Sequence, residues 1–293
     1  MTAFDTSGRD RLTLAVLTQY RMATTEQMHL ILSPDVRIEQ TRRRLLKLRA
    51  EGLIDRVTLP QAGRLRVWHP TAYGVQVASA WPELRGRRPP RTVTDRTAVR
   101  LAVGHALTVT ETAVQFLTDA RRRGDLCRPL DWLPEVHHPL GNGEAVIPDA
   151  LLYYRRGTND SEGGAMLRAF VEVDRATMGP ERLAAKLGAY ARLLSYVPQP
   201  VGRRPTLEAS QEEWRRRYPL FPRLLFILDG TGPTGITTRI QALHAASKHP
   251  AVDVLLRTIP VLAAPLTDLR HHGPAAPIWH PIQHPDRRVS WMH

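Results

Sequence analysis

The segment IEQTRRRLLKLRA, residues 38–50, combines leucines with closely spaced basic residues and contains no helix breaker. Leu45, Leu46 and Leu48 supply a core-facing side, and Gly52 just beyond them is a residue that commonly ends a helix. Since the leucines hold one side of the segment against a core, many of the basic side chains must point outward. The segment therefore predicts an amphipathic basic helix.

The elements around this helix predict a small domain of helices followed by a β-hairpin. Residues 9–20 carry a helical pattern of apolar residues, and Thr24 or Thr25 can cap a short second helix. After the basic helix, residues 53–57 and 64–68 read as two strands joined by a Pro/Gly-containing turn, and a closing helix follows. The order helix, helix, basic helix, hairpin is that of a winged helix-turn-helix.

A basic helix of this kind is typical of DNA-binding domains. Its width fits the major groove, where Arg and Gln contact guanine and adenine edges and other cations neutralise phosphates. Double-stranded DNA is the predicted partner; the alternative is a solvated basic helix in a protein–protein module. The candidate DNA-binding residues are Arg37, Gln40, Arg42, Arg43, Arg44, Lys47, Arg64 and Arg66.

The composition narrows the class of protein further. The chain has 41 Lys and Arg against 28 Asp and Glu, and its net charge of +13 favours a polyanionic partner. The single cysteine, Cys127, excludes an internal disulfide and a multi-cysteine zinc site. No apolar run approaches the ~18 residues of a membrane span, and no signal-peptide pattern is evident. We predict a cytoplasmic protein without membrane contact and leave its oligomeric state open.

A proline-containing basic segment divides the chain. We predict a winged-helix domain over 1–82, a linker over 83–96, a second domain over 97–265 and a Pro/His-rich tail over 266–293. The second domain has the pattern of an α/β or α+β fold around a mixed sheet. Its predicted segments are helix 100–122, strands 130–138, 145–154 and 168–175, helix 180–194, strand 223–228, helix 234–247 and strand 252–262.

Three carboxylates stand out in the second domain: Asp149, Glu172 and Asp174. Glu172 and Asp174 lie two apart on a predicted strand, so their side chains share a face with Cα atoms roughly 7 Å apart. If the strand after Asp149 pairs with theirs, the three groups converge, and a Mg²⁺ or Mn²⁺ ion would relieve their repulsion. The alternative is that they pair with nearby arginines, which are Arg155, Arg168 and Arg175.

These residues also carry a family resemblance. Pro148-Asp149 followed by Glu172-x-Asp174 resembles the motif of the PD-(D/E)XK restriction-endonuclease-like superfamily, and Lys186-x-x-x-Tyr190 is similar to the Q-x-x-x-Y element of its RecB-type branch. From about 10 to 262 the chain more specifically resembles the replication-relaxation family, related to conjugative relaxases with a nuclease-like fold. The superfamily usually has lysine where this chain has Asp174, and Lys186 is the candidate replacement.

The resemblance implies a DNA-binding protein of a mobile element that acts as a metal-dependent nickase, or relaxase-like endonuclease, in plasmid replication or transfer. The metal ligands would be Asp149, Glu172 and Asp174, and Lys186 would stabilise charge on the phosphate. The partner would be double-stranded DNA that is single-stranded at the nick. The alternative is a non-catalytic replication or transcription regulator with a degenerate nuclease fold. Possible accessory residues are His105, Glu111, Glu135 and Tyr190.

Overall fold

The computed structural model of the chain describes residues 8–59, 65–85, 87, 96–157, 164–198 and 211–293. The chain divides into two compact units, Met1–Pro134 (unit 1) and Glu135–His293 (unit 2). Arg64, the predicted hairpin turn and most of the predicted linker lie outside the described residues. Within the described part, no helix has both the length and the apolar character needed to cross a membrane.

Unit 1 has the winged helix-turn-helix fold that the sequence predicts, followed by a long helix. Its elements are α1 (Arg9–Tyr20), β1 (Ala23–Thr24), α2 (Thr25–Leu32), α3 (Ile38–Ala50), β2 (Ile54–Leu59), β3 (Leu65–Pro70), α4 (Ala72–Ser79), α5 (Arg96–Arg123) and β4 (Trp132–Pro134). Strands β1, β3 and β2 form an antiparallel sheet in that order. Helix α3 lies directly before the β2–β3 hairpin and is the basic helix of the sequence analysis.

Local sequence signals account for the ends of α2 and α3. Thr24, rather than Thr25, caps α2: its hydroxyl accepts from the backbone N–H of Gln27, and the Gln27 side chain accepts from the N–H of Thr24. Gly52 follows α3 with a φ of +73°, a left-handed conformation that favours glycine. The predicted start of α2 and the predicted end of α3 are both confirmed.

Helix α5 belongs to unit 1, although its place after the predicted linker favours the second domain. Val103 joins an apolar cluster with Met22, Val57 and Val67. The Thr110 hydroxyl donates to the carbonyl of Met22 at 2.8 Å. The helix therefore completes the core of the winged-helix unit, which its sequence pattern alone could not indicate.

Unit 2 is a mixed α/β fold, as predicted. Its elements are β5 (His138–Gly141), β6 (Glu144–Val146), β7 (Ala150–Arg155), β8 (Met166–Asp174), α6 (Pro180–Ser195), β9 (Arg223–Leu228), α7 (Pro233–Ser247), α8 (Asp253–Thr258), β10 (Val261–Pro265), α9 (Leu266–His272) and β11 (His280–Pro281). Within this unit the order of the main sheet is β11-β10-β9-β8-β7. Strands β8, β9 and β10 are parallel, while β7 and β11 run antiparallel to their neighbours.

Two predictions for the C-terminal part of unit 2 were wrong. The segment predicted as strand 252–262 contains helix α8 and the start of β10. The prediction failed because a short apolar run without a clear period does not distinguish a buried helix from a buried strand. The predicted tail after 266 contributes α9 and β11, and it buries Trp279 and Trp291 fully. The Trp291 ring contacts Tyr154 edge to face, with 5.1 Å between ring centroids. This segment is part of the folded core of unit 2.

Candidate functional site

The outer side of α3 carries the first group of candidate residues. Thr41, Leu45 and Leu48 face the core of unit 1, as the amphipathic spacing predicts. Leu46 was expected there as well, but it is 48% exposed, because neighbouring residues on a helix do not share a face. The exposed candidates on the outer side are Arg37, Gln40, Arg42 and Arg43.

Arg44 and Lys47 are oriented differently from these neighbours. Both contact Asp10 near the start of α1: Arg44 Nε lies 3.2 Å from Asp10 Oδ1, and Lys47 Nζ lies 2.7 Å from Asp10 Oδ2. Asp10 is buried. The two cations therefore hold α3 against α1, whereas the sequence pattern predicts that they point outward and contact DNA.

The hairpin adds further positive charge. Arg66 is exposed on β3, as predicted. Arg56 on β2 lies over the Trp68 ring, 5.6 Å from its centroid, and shares a sheet face with Arg66. Burial, followed by the charges of Arg66 and Arg49, lowers the pKa of Arg56. Sequence reasoning missed Arg56 as part of this basic surface, although alternation along the strand places it on the same face as Arg66.

The carboxylates of unit 2 form a second group of candidates, and strand pairing positions them. In the antiparallel β7–β8 pair, Ala150 lies opposite Val171, so Asp149 and Glu172 follow as the next pair along the strands. Asp149 Oδ2 accepts a hydrogen bond from the backbone N–H of Val173 at 2.7 Å. Asp149 and Glu172 thus meet at one end of β8, as the sequence analysis expects.

Glu172 is the buried centre of this group, with 2% exposure. Tyr190 donates its hydroxyl proton to Glu172 Oε1 at 2.6 Å, and the Lys186 ammonium contacts Oε2. Burial raises the pKa of Glu172 to about 6; Lys186 opposes this rise, and the charge of Asp149 adds to it. The carboxyl group therefore titrates closer to neutral pH than an ordinary glutamate.

Helix α6 delivers both partners of Glu172. Pro180 occupies the first turn, and the buried positions Leu183, Leu187 and Tyr190 fix which side faces the sheet. Lys186 and Tyr190 are four residues apart and so share one face. Burial alone would lower the pKa of Lys186, but the charges of Glu172 and Asp149 raise it overall. Lys186 is therefore a charged group.

Asp174 has partners of its own. Its Oδ1 accepts from the backbone N–H of Ala176 at 3.1 Å, and its Oδ2 contacts the Arg239 guanidinium from α7. Arg239 is also buried and donates to the carbonyl of Met178 at 3.0 Å. The cations that reach Glu172 and Asp174 thus come from α6 and α7, and sequence reasoning missed Arg239 because it lies on a distant helix.

Comparison of the chain with known protein families identifies the family to which it belongs. A family model described as replication-relaxation matches residues 14–207, which is more than half of the chain. The chain belongs to the replication-relaxation family. It is also similar to Bacillus subtilis PadR in complex with operator DNA, at 22% identity over 38% of this chain and 68% of that chain, with a TM-score of 0.22. Comparison with curated proteins gave no match.

The accessory candidates of this replication-relaxation protein fall into both units. His105 and Glu111 lie on α5 in unit 1. His105 is exposed, and Glu111 accepts hydrogen bonds from Gln27 and Gln115 at 3.0 and 2.9 Å. Glu135 in unit 2 is exposed, and its backbone N–H donates to the carbonyl of Asp149 at 3.4 Å. Tyr190 thus contacts the Glu172 carboxylate, and Glu135 reaches Asp149 through a backbone hydrogen bond.

The predicted metal ligands are only partly brought together. The described residues include no group of three or more His, Cys, Asp or Glu side chains that could hold a metal ion. The predicted three-carboxylate site is therefore not assembled among the described residues, and Asp174 pairs with Arg239 of α7. Asp149 and Glu172 remain adjacent, and this pair suits Mg²⁺, which is commonly held by one or two carboxylates and keeps several waters.

Proposed function

We propose that this replication-relaxation protein binds duplex DNA of a mobile element through α3 and the β2–β3 hairpin. The support is the exposed basic side of α3. Neither Arg37 nor Arg43 has an ion-pair partner among the residues that the structure describes, and Gln40 lies exposed between them. A helix that offers cations and an amide to solvent can contact base edges and phosphates in the major groove.

For unit 2 we propose phosphodiester hydrolysis that nicks one DNA strand. A single observation carries this proposal: α6 holds the Lys186 ammonium on Glu172, next to Asp149. A fixed ammonium beside two carboxylates can stabilise the charge that develops on a phosphate during displacement. Lys186 is partly exposed while Glu172 is buried, so a phosphate would approach from the lysine side. The DNA at the nick would be partly single-stranded.

Asp149 and Glu172 are the residues that would hold Mg²⁺ or Mn²⁺. Each Glu172 oxygen already accepts one hydrogen bond, but a carboxylate oxygen has two lone pairs and can accept a second partner. A bound divalent ion would supply Lewis acidity toward the phosphate. Tyr190 orients Glu172, since burial raises the pKa of Tyr190 well above its usual range and keeps its proton on the phenol oxygen.

A second candidate function is supported by a different observation. Both oxygens of Glu172 and both oxygens of Asp174 have partners inside unit 2. Such a network can serve the fold alone, and the chain would then be a non-catalytic DNA-binding regulator of replication or transcription. The two candidates differ in what Glu172 does when DNA is present.

Supercoiled plasmid DNA distinguishes the candidates. The full chain is incubated with this DNA in Mg²⁺, in Mn²⁺ or in EDTA, and the fraction of open-circular product is measured. The variants are Glu172→Gln, which retains the acceptor for Tyr190, and Lys186→Met. Glu144→Gln is the matched control, because Glu144 is an exposed carboxylate of unit 2 that pairs with Arg192 at 2.7 Å. Thermal unfolding verifies that each variant is folded.

We expect divalent-ion-dependent nicking by the wild type and by Glu144→Gln, with a loss of at least tenfold in the other two variants. Unchanged nicking by Glu172→Gln would contradict the site. DNA binding without nicking in either metal would support the regulator instead. Failure of the wild type to bind duplex DNA would overturn both candidates.

A further inference from the structure

Asp10 lies beside the basic helix but takes no part in the basic surface. It is the second residue of α1. A carboxylate in the first turn of a helix is stabilised by the helix dipole. Its two oxygens are shared between two cations of α3, Arg44 on Oδ1 and Lys47 on Oδ2. The Asp10 side chain is 11% exposed, so this contact is screened less than a surface ion pair.

The cations of α3 thus form two sets. Arg44 and Lys47 are three residues apart, share one face and turn toward α1. Arg43 belongs to the other set: it lies on an exposed face, which it shares with the neutral Gln40 three residues earlier. The division does not follow from the sequence, in which Arg42, Arg43 and Arg44 are consecutive. It follows from the position of Asp10.

We propose that Asp10 determines specificity by keeping Arg44 and Lys47 away from DNA phosphates. Each phosphate that a protein neutralises releases counterions and adds sequence-independent affinity that falls steeply with salt. A recognition helix that used all of its cations on phosphates would bind any duplex tightly. By retaining two of them, Asp10 leaves a larger share of the binding free energy to base contacts. This inference rests on the proposed DNA binding by α3.

The test measures the affinity of the full chain for a random-sequence duplex at several salt concentrations. Asp10→Asn removes the charge and keeps the shape, so it releases both cations. We expect tighter binding at low salt and a slope of log K against log[salt] that is steeper by about 1 to 2. Asp253→Asn is the charge-matched control, because Asp253 is an exposed residue of unit 2 that pairs with Arg257. We expect it to leave the slope unchanged.

A second variant keeps the test decisive if Asp10→Asn folds poorly. Asp10→Asn/Arg44→Gln/Lys47→Gln removes the two cations together with the buried carboxylate charge, so no uncompensated charge is left at this site. It should leave the slope of the wild type unchanged, because neither cation contacts phosphate. A slope that becomes shallower by about 2 in this variant would overturn the inference. So would an unchanged or shallower slope in folded Asp10→Asn. If neither the wild type nor Asp253→Asn binds duplex DNA, the proposed function fails, and the inference fails with it.

Discussion

Helix α3 and strand β8 are both rich in charge, but they differ in where the charge is satisfied. On α3, Arg37 and Arg43 are exposed and find no ion-pair partner among the described residues. On β8, Glu172 and Asp174 are buried, and each oxygen has a partner within unit 2. An exposed, unpaired cation is available to an external polyanion, whereas a buried, paired carboxylate is already engaged in contacts that stabilise the fold.

The largest effect should come from breaking a buried pair. In Arg239→Met, Asp174 would stay buried without the cation that contacts it, so we expect the free energy of unfolding to fall by about 3–5 kcal/mol. Arg42→Met is the matched control, since Arg42 pairs with Glu39 at 3.0 Å and both side chains are at least half exposed. We expect it to change stability by less than about 1 kcal/mol. Urea unfolding measures the free energy of unfolding of both variants, and an unchanged m-value shows that their compactness is unaltered.

Equal shifts of the urea midpoint in the two variants would contradict the distinction between buried and exposed charge. A change in the m-value of Arg239→Met would indicate loss of compactness rather than loss of one ion pair. The double variant Arg239→Met/Asp174→Leu removes both charges and should recover much of the loss, because the cost comes from the uncompensated carboxylate.

A smaller effect should appear in the pH dependence of stability. The pKa of Glu172 is raised to about 6 from 4.5, so the folded state binds a proton that the unfolded state has released between these pH values. The stability that this extra bound proton adds to the folded state is fully present below pH 4.5 and is lost as the pH rises through 6. We expect the free energy of unfolding to fall by about 2 kcal/mol over this range, relative to Glu172→Gln.

This measurement is made in EDTA by chemical unfolding at several pH values. Subtracting the free energy of unfolding of Glu172→Gln from that of the wild type at each pH removes the contributions of the other titrating groups. A difference that stays flat from pH 4 to pH 7, or that increases with pH, would show that Glu172 is not held in a protonation-favouring environment.

The sequence predicts most of what depends on local patterns. The order of the helices and hairpin strands through β3 follows from capping residues and apolar spacing, although the short strand β1 was not predicted. The adjacency of Asp149 and Glu172 follows from strand pairing. The partners of the charges are not predictable in this way. Asp10 and Lys47 are 37 residues apart, and Asp174 and Arg239 are 65 apart. Such contacts depend on how whole helices pack, which no short segment specifies.

The smallest effect concerns a single exposed cation of α3. Arg43→Gln removes one charge from the outer side, and we expect the free energy of binding to duplex DNA to weaken by about 1 kcal/mol. If Arg43 contacts a phosphate, the slope of log K against log[salt] becomes shallower by about 1; if it contacts a base edge, the loss depends on sequence instead. Arg257→Gln, an exposed residue of unit 2, is the charge-matched control. An equal loss of affinity in Arg257→Gln would mean that net charge, rather than the outer side of α3, governs binding.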